Sequence, residues 1–146
     1  MKRLAPAQPC PCGGVSASHT ASKAPKPLSY GQCCGRWLEA DATYGPFAPD
    51  AHHLMRSRYS AFVLEREDYL RATWQAGRRP ATIEFDPGVK WLGLEVRDFR
   101  STGADTAEVE FVARQKPLSG PAVRLHERSR FVLEGGRWLY LDGTQF

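Results

Sequence analysis

The sequence predicts an α+β fold, with N-terminal helices packed on one face of a bent antiparallel sheet and a small four-cysteine element ahead of them. Three observations predict it. Helical periodicity is confined to residues 50–75 and strand-like alternation to residues beyond 90, the order expected of helices layered on a meander. Gly135-Gly136, between two apolar runs, is a two-residue hairpin signal. All four cysteines fall between positions 10 and 34, as a C-x-C and a C-C pair.

Taken in order, residues 1–9 read as a disordered lead, residues 10–36 as a cysteine knuckle with a loop, and residues 37–48 as a connector lying on the main domain. The expected division is therefore 1–36 and 37–146. A helix is expected from Asp50 to about Leu64. Asp50 is placed to cap it and to meet the positive end of the helix dipole. Leu54, Met55, Tyr59, Phe62 and Val63 form its inner stripe, with Arg56, Ser57 and Ser60 elsewhere. A second helix is expected from Asp68 to Gln75, with Leu70, Thr73 and Trp74 inward, ended by Gly77 and Pro80. Strands are expected at 91–99, 107–115, 122–134 and 137–142. On the third, Leu125, Glu127, Ser129, Phe131 and Leu133 share one face, and Arg124, His126, Arg128, Arg130 and Val132 the other.

Composition narrows the classes. The chain has 146 residues, enough for one ordinary core plus an appendage. Mean hydropathy of -0.46 and the absence of a long apolar run argue against a membrane span. The start, MKRLAPAQP, lacks the apolar core of a signal peptide, so a cytoplasmic location is expected. Net charge is +4, and Lys2, Arg3, Lys23, Lys26 and Arg36 precede the first acid, Glu39. Local compensation of a thiolate cluster explains this better than nucleic-acid binding, because no aromatic interleaving or helix-turn-helix signature accompanies it. The oligomeric state is left open.

Two tight cysteine pairs suit a tetrahedral, soft, closed metal site, for which structural zinc is the usual ion. Both spacings lie outside the common C-x2-4-C rule. Disulfides would need an exporting sequence, adjacent cysteines rarely bridge each other, and a C-x-x-C redox motif is absent. Glycines 13, 14, 31 and 35 suit the turns of such a knuckle, and Pro11 stiffens the first pair. His19, His52 and His53 read as solvated, since four thiolates already fill a tetrahedral ion.

The stretches CPCGG and KPLSYGQCCG resemble the two halves of a SEC-C motif, the small zinc-binding element also found at the C-terminus of the SecA translocation ATPase. The resemblance implies Cys10, Cys12, Cys33 and Cys34 as zinc ligands and Tyr30 as the aromatic before the second pair. The departure is an insertion, Val15 to Lys26, rich in Ser, Ala, Lys and Pro. Lengthening the closed loop from roughly 8 to 20 residues costs about 0.8 kcal/mol, against on the order of 10 kcal/mol from structural zinc, so the site is expected to survive. HLMRSRYSAFVLEREDYLRATW and LHERSRFVLEGGRWLYLDGT resemble the YchJ family, in which SEC-C motifs join a middle domain like nuclear transport factor two. Members often carry a second SEC-C motif, whereas no cysteine follows Cys34 here. The resemblance implies a cone-like α+β domain and a metal, without a particular activity.

The superfamily's cone encloses a pocket, whose candidates here are Tyr59, His126, Glu127, Tyr140 and Asp142. Glu127 interrupts the apolar face of its strand, and Arg56 and Arg58 are available to pair with it. A buried ion pair between Glu127 and one of these arginines is the expected structural arrangement. Trp74, Trp91 and Trp138 are expected in the core. Two functions follow. The first is a binding module whose knuckle docks a protein partner and whose cone holds a peptide or small molecule. The second is a small enzyme using Glu127 or Asp142 as acid/base, with zinc purely structural. The first is preferred.

Overall fold

In the computed structural model, which describes residues 2–14 and 27–146, the knuckle, three helices and a four-stranded sheet follow one another along the chain. A 3-10 turn at Tyr30–Gln32 leads into α1 (Gly35–Leu38), then α2 (Ala51–Val63) and α3 (Glu67–Ala72). The strands are β1 (Lys90–Ser101), β2 (Thr106–Lys116), β3 (Val123–Glu134) and β4 (Arg137–Gln145), an antiparallel meander in the order β1-β2-β3-β4. The expected inserted loop, Val15 to Lys26, and with it His19, lies outside the described residues. No helix among the described residues is long and apolar enough to cross a membrane.

Asp50 caps α2 as its sequence position implies: its Oδ1 accepts from the backbone N–H of His53 at 2.7 Å. The β3–β4 turn is Gly135-Gly136, with φ of 57° and 78°, the left-handed region that a tight hairpin requires. The sheet bends where its register slips, twice in β1 and once opposite Arg130/Phe131. At the last slip Phe131 pairs with Tyr140 but Arg130 pairs with Asp142, so Leu141 is the extra residue. The core between helices and sheet is built on Leu54, Leu70, Val109 and Phe131, each at most 1% exposed. Burial of side chains of this kind contributes about 1.5–3 kcal/mol apiece.

Three expectations need correction. Residues 2–9 are not a loose lead: Lys2 N–H donates to the Leu64 carbonyl at 2.8 Å, and Tyr30 N–H donates to the Gln8 carbonyl at 2.7 Å. The second helix stops at Ala72, short of Gln75, because the next residues add to the edge of β4. Tyr140 N–H donates to the Thr73 carbonyl at 2.8 Å, and Gln75 N–H donates to the Tyr140 carbonyl at 2.9 Å. Finally, α2 is not buried on one stripe alone. Ser57 and Ser60 are fully buried and Arg58 nearly so, because the knuckle covers Ser60 while α3 and the residues after it cover Ser57 and Arg58.

Candidate metal centre and cone cavity

The knuckle brings the four predicted cysteines together. Their sulfurs all lie within 4.8 Å of one another, and all four residues are buried. Adjacent separations are 3.7 Å for Cys10–Cys12, 3.5 Å for Cys12–Cys33 and 4.0 Å for Cys33–Cys34. Four sulfurs about 2.3 Å from one tetrahedral ion would be about 3.8 Å apart, so the cluster can hold a metal ion. Without a cation the thiols cannot all ionise. Hydrogen bonding from the other three sulfurs, Cys12 foremost, pulls Cys10 far down, while Cys33 and Cys34 are pushed well up. A divalent cation removes that conflict.

Local sequence explains the convergence. Pro11 lies inside the first pair, the 3-10 turn presents Cys33, and Cys34 caps α1. Gly14 is required by close approach: a Cβ there would lie 2.9 Å from the Cys33 sulfur and 3.3 Å from that of Cys12. Its N–H also donates to the Cys12 sulfur at 3.3 Å. The two segments flanking the insertion are pinned together. Leu28 N–H donates to the Gly14 carbonyl at 2.6 Å, and Cys10 N–H donates to the Leu28 carbonyl at 3.0 Å. The knuckle is thereby closed at the base of the insertion, whatever the length of chain beyond it.

Side-chain contacts join this centre to the helices, among them Cys10 Sγ to Ser60 Oγ at 3.7 Å. Arg56 Nη1 donates to the Cys12 carbonyl at 3.1 Å and lies 3.8 Å from its sulfur, while Nε donates to His52 Nε2 at 2.9 Å. Tyr30 Oη and Arg66 Nη2 both donate to Glu39 Oε2 at 2.8 Å. Burial pushes the Glu39 carboxyl up, but the Tyr30 and Arg66 hydrogen bonds outweigh it and hold the carboxyl below its usual range. Burial also pushes the Tyr30 hydroxyl well up.

On the other side of α2 a cavity of about 240 Å³ opens between helix and sheet. Arg58, Tyr59, Glu127 and Tyr140 line it, with Met55, Phe62, Trp74, Trp91, Leu125, Ser129, Phe131 and Gln145. The expected ion pair of Glu127 with Arg56 or Arg58 does not form. Arg56 is directed to the knuckle. Arg58 Nη1 donates to the Leu70 carbonyl and to Thr73 Oγ1, both at 2.8 Å. The guanidinium is further held against the rings of Tyr140, at 4.6 Å, and Trp74, at 5.1 Å. Burial lowers Arg58 to about 10, which leaves it cationic at neutral pH. Glu127 Oε2 accepts from Ser129 Oγ at 2.5 Å and Tyr140 Oη at 3.2 Å; Oε1 accepts from Gln145 Nε2 at 3.5 Å. Burial pushes Tyr59 up to about 12, and it raises Tyr140 as well.

His126 and Asp142 do not reach the cavity. His126 pairs with Glu110 on the opposite sheet face at 2.9 Å. Asp142 pairs there with Arg130 at 2.5 Å and Arg78 at 2.7 Å. Sequence reasoning missed Gln145, the partner role of Ser129, and Gly143. A Cβ at Gly143 would lie 2.5 Å from the Glu127 Cδ, so this glycine makes room for the carboxylate. The only signal for it was its place in the W-x-Y-x-D-G ending.

A family model described as "YchJ, middle NTF2-like domain" matches residues 50–143. The chain belongs to the YchJ family. Among curated relatives, a "UPF0225 protein" of Polaromonas sp. is 63% identical over 140 residues, covering 96% of this chain and 95% of the relative. A "UPF0225 protein" of Xanthomonas campestris is 46% identical over 144 residues, 97% of this chain and 98% of the relative. Two solved structures are similar, both of SEC-C motif containing proteins. The solution structure from Rhodopseudomonas palustris has 32% identity and a TM-score of 0.69, covering 83% of this chain and 94% of that one. The crystal structure from Psychrobacter arcticus has 29% identity and a TM-score of 0.71, covering 97% of this chain and 84% of that one. The YchJ middle domain therefore accounts for α2, α3 and the sheet, and the SEC-C likeness agrees with the cysteine cluster that precedes them.

Proposed function

We propose that this YchJ-family chain is a binding protein with a structural zinc ion, and that its ligand occupies the cone cavity. Zinc is the ion that four buried thiolates at tetrahedral spacing suit best. Cys10, Cys12, Cys33 and Cys34 would hold it. Zinc supplies a cross-link there and no open position for water, because the four sulfurs complete its shell. The residues around it do the rest. Arg56 ties the Cys12 carbonyl to α2, and Arg66 and Tyr30 tie the knuckle to the start of α3 through Glu39. The same helix carries Arg58 and Tyr59 to the cavity.

One observation carries the reading. A cation, Arg58, and a carboxylate, Glu127, face one largely apolar cavity without pairing, each held in place by neutral partners. Convergent polar groups in an apolar concavity are the usual mark of a ligand site. An interaction of a protein partner with the knuckle itself draws less support, since its four sulfurs are buried. The test is a fragment screen on the zinc-loaded protein, followed by 1H–15N NMR. Bound fragments should shift Trp74, Trp91 and Gln145 together and leave His126 unmoved. Fragments that cluster only outside the cavity would refute the reading.

A further inference from the structure

We propose that the cone cavity is a site for small monocarboxylates with an apolar body, the ligand carboxylate seated on the free edge of Arg58. This rests on the reading of the cone as a binding cavity and adds the chemical class of its ligand. Arg58 is only 5% exposed, yet among the described residues no carboxylate lies within 4.0 Å of it. Nη1 is committed to Leu70 and Thr73, and no acceptor among the described residues meets Nε or Nη2. Neither atom is shut away from solvent, so both remain available to a ligand that enters the cavity. The planar guanidinium edge matches a carboxylate in two parallel hydrogen bonds.

A buried, unsatisfied donor beside Arg58 points the same way. The indole Nε1 of Trp74, whose ring packs against that guanidinium, is buried and has no hydrogen-bond partner. Glu127 is not the missing acceptor, since Ser129, Tyr140 and Gln145 hold its oxygens. Its negative charge in the same cavity disfavours a second anionic group, which selects monocarboxylates over dicarboxylates. Met55, Phe62, Trp91 and Leu125 supply an apolar wall that a bare inorganic anion would leave unused. The volume of about 240 Å³ lies just below the roughly 300–1,000 Å³ of typical ligand sites, so a fragment-sized body fits.

The experiment titrates the zinc-loaded full chain with 3-phenylpropanoate and octanoate, and with the amide of each. The Trp74 indole N–H resonance and tryptophan fluorescence are the readouts. Each acid should shift the Trp74 signal and bind at least about tenfold more tightly than its amide, the effect of charge-assisted hydrogen bonds. Arg58→Gln, checked for its thermal transition, should erase that preference; the acid–amide comparison in the wild type stands even if this variant does not fold. Equal binding of acids and amides in the cavity would overturn the carboxylate assignment and leave the binding reading intact. No shift of Trp74 or Trp91 with any of the four compounds would overturn both.

Discussion

Replacing Gly14 by alanine tests the geometry of the cysteine cluster. The new Cβ would sit 2.9 Å from the Cys33 sulfur, about half an ångström inside ordinary contact, which begins at 3.4 Å. Metal–ligand distances tolerate only about ±0.2 Å, so either Cys33 or the Gly14 backbone must move. Zinc in such sites contributes about 10–16 kcal/mol, and losing one of four ligands bounds the effect at about 2.5–4 kcal/mol. Backbone relaxation recovers part of this. The expected loss is about 1.4–2.8 kcal/mol, or roughly 10–100-fold in affinity. Competition with a chromophoric chelator measures it directly. Gly13→Ala is the control. Gly13 has φ of 71° with no atom within 4 Å of its would-be Cβ, so the substitution strains the backbone by about 1–2 kcal/mol without touching a sulfur. Its affinity loss should be smaller than that of Gly14→Ala. If Gly14→Ala binds zinc within twofold of wild type, the sulfurs do not surround one ion as described.

Other perturbations separate the two sides of α2. Glu39 is depressed in the folded state, so its contribution is present above its unfolded value, about 4.3, and is lost as pH falls through the lower folded value. Glu39→Gln should therefore lower the thermal midpoint at pH 7, with the gap to wild type closing below about pH 4; a pH-independent gap would exclude this role. Glu127→Gln should cost only about 1 kcal/mol in denaturant unfolding, because it replaces hydrogen bonds and breaks no ion pair, whereas a loss of 3–5 kcal/mol would mean a buried pair with Arg58 after all.

Much of the fold was legible because local and tertiary preferences agree. Asp50 caps α2, Gly135-Gly136 turns the hairpin, and Glu127 lies on the core face where alternation put it. The illegible parts all depend on contacts distant in sequence. Alternation along β4 places Asp142 on the same face as Tyr140, but the extra residue Leu141 turns Asp142 outward to Arg130. Arg56 and Arg58 are equivalent candidates in MRSRY, yet one reaches Cys12 and the other Leu70, because the knuckle and α3 offer acceptors on different sides of α2. Ser57 and Ser60 look solvent-facing by helical period; Tyr69 and Cys10 cover them. The four cysteines needed no such information, since their pairs already bring two sulfurs close and only one closure remained.

The most direct test of the central claim is metal content by elemental mass spectrometry on the purified, reduced protein, paired with a thiol titration under native conditions. One zinc per chain with all four thiols protected is the expected result, and chelation should lower the thermal midpoint as the knuckle loosens from α2. A stable metal-free chain whose four thiols titrate freely would contradict the structural zinc site, and with it the clamp that positions α2 over the cone.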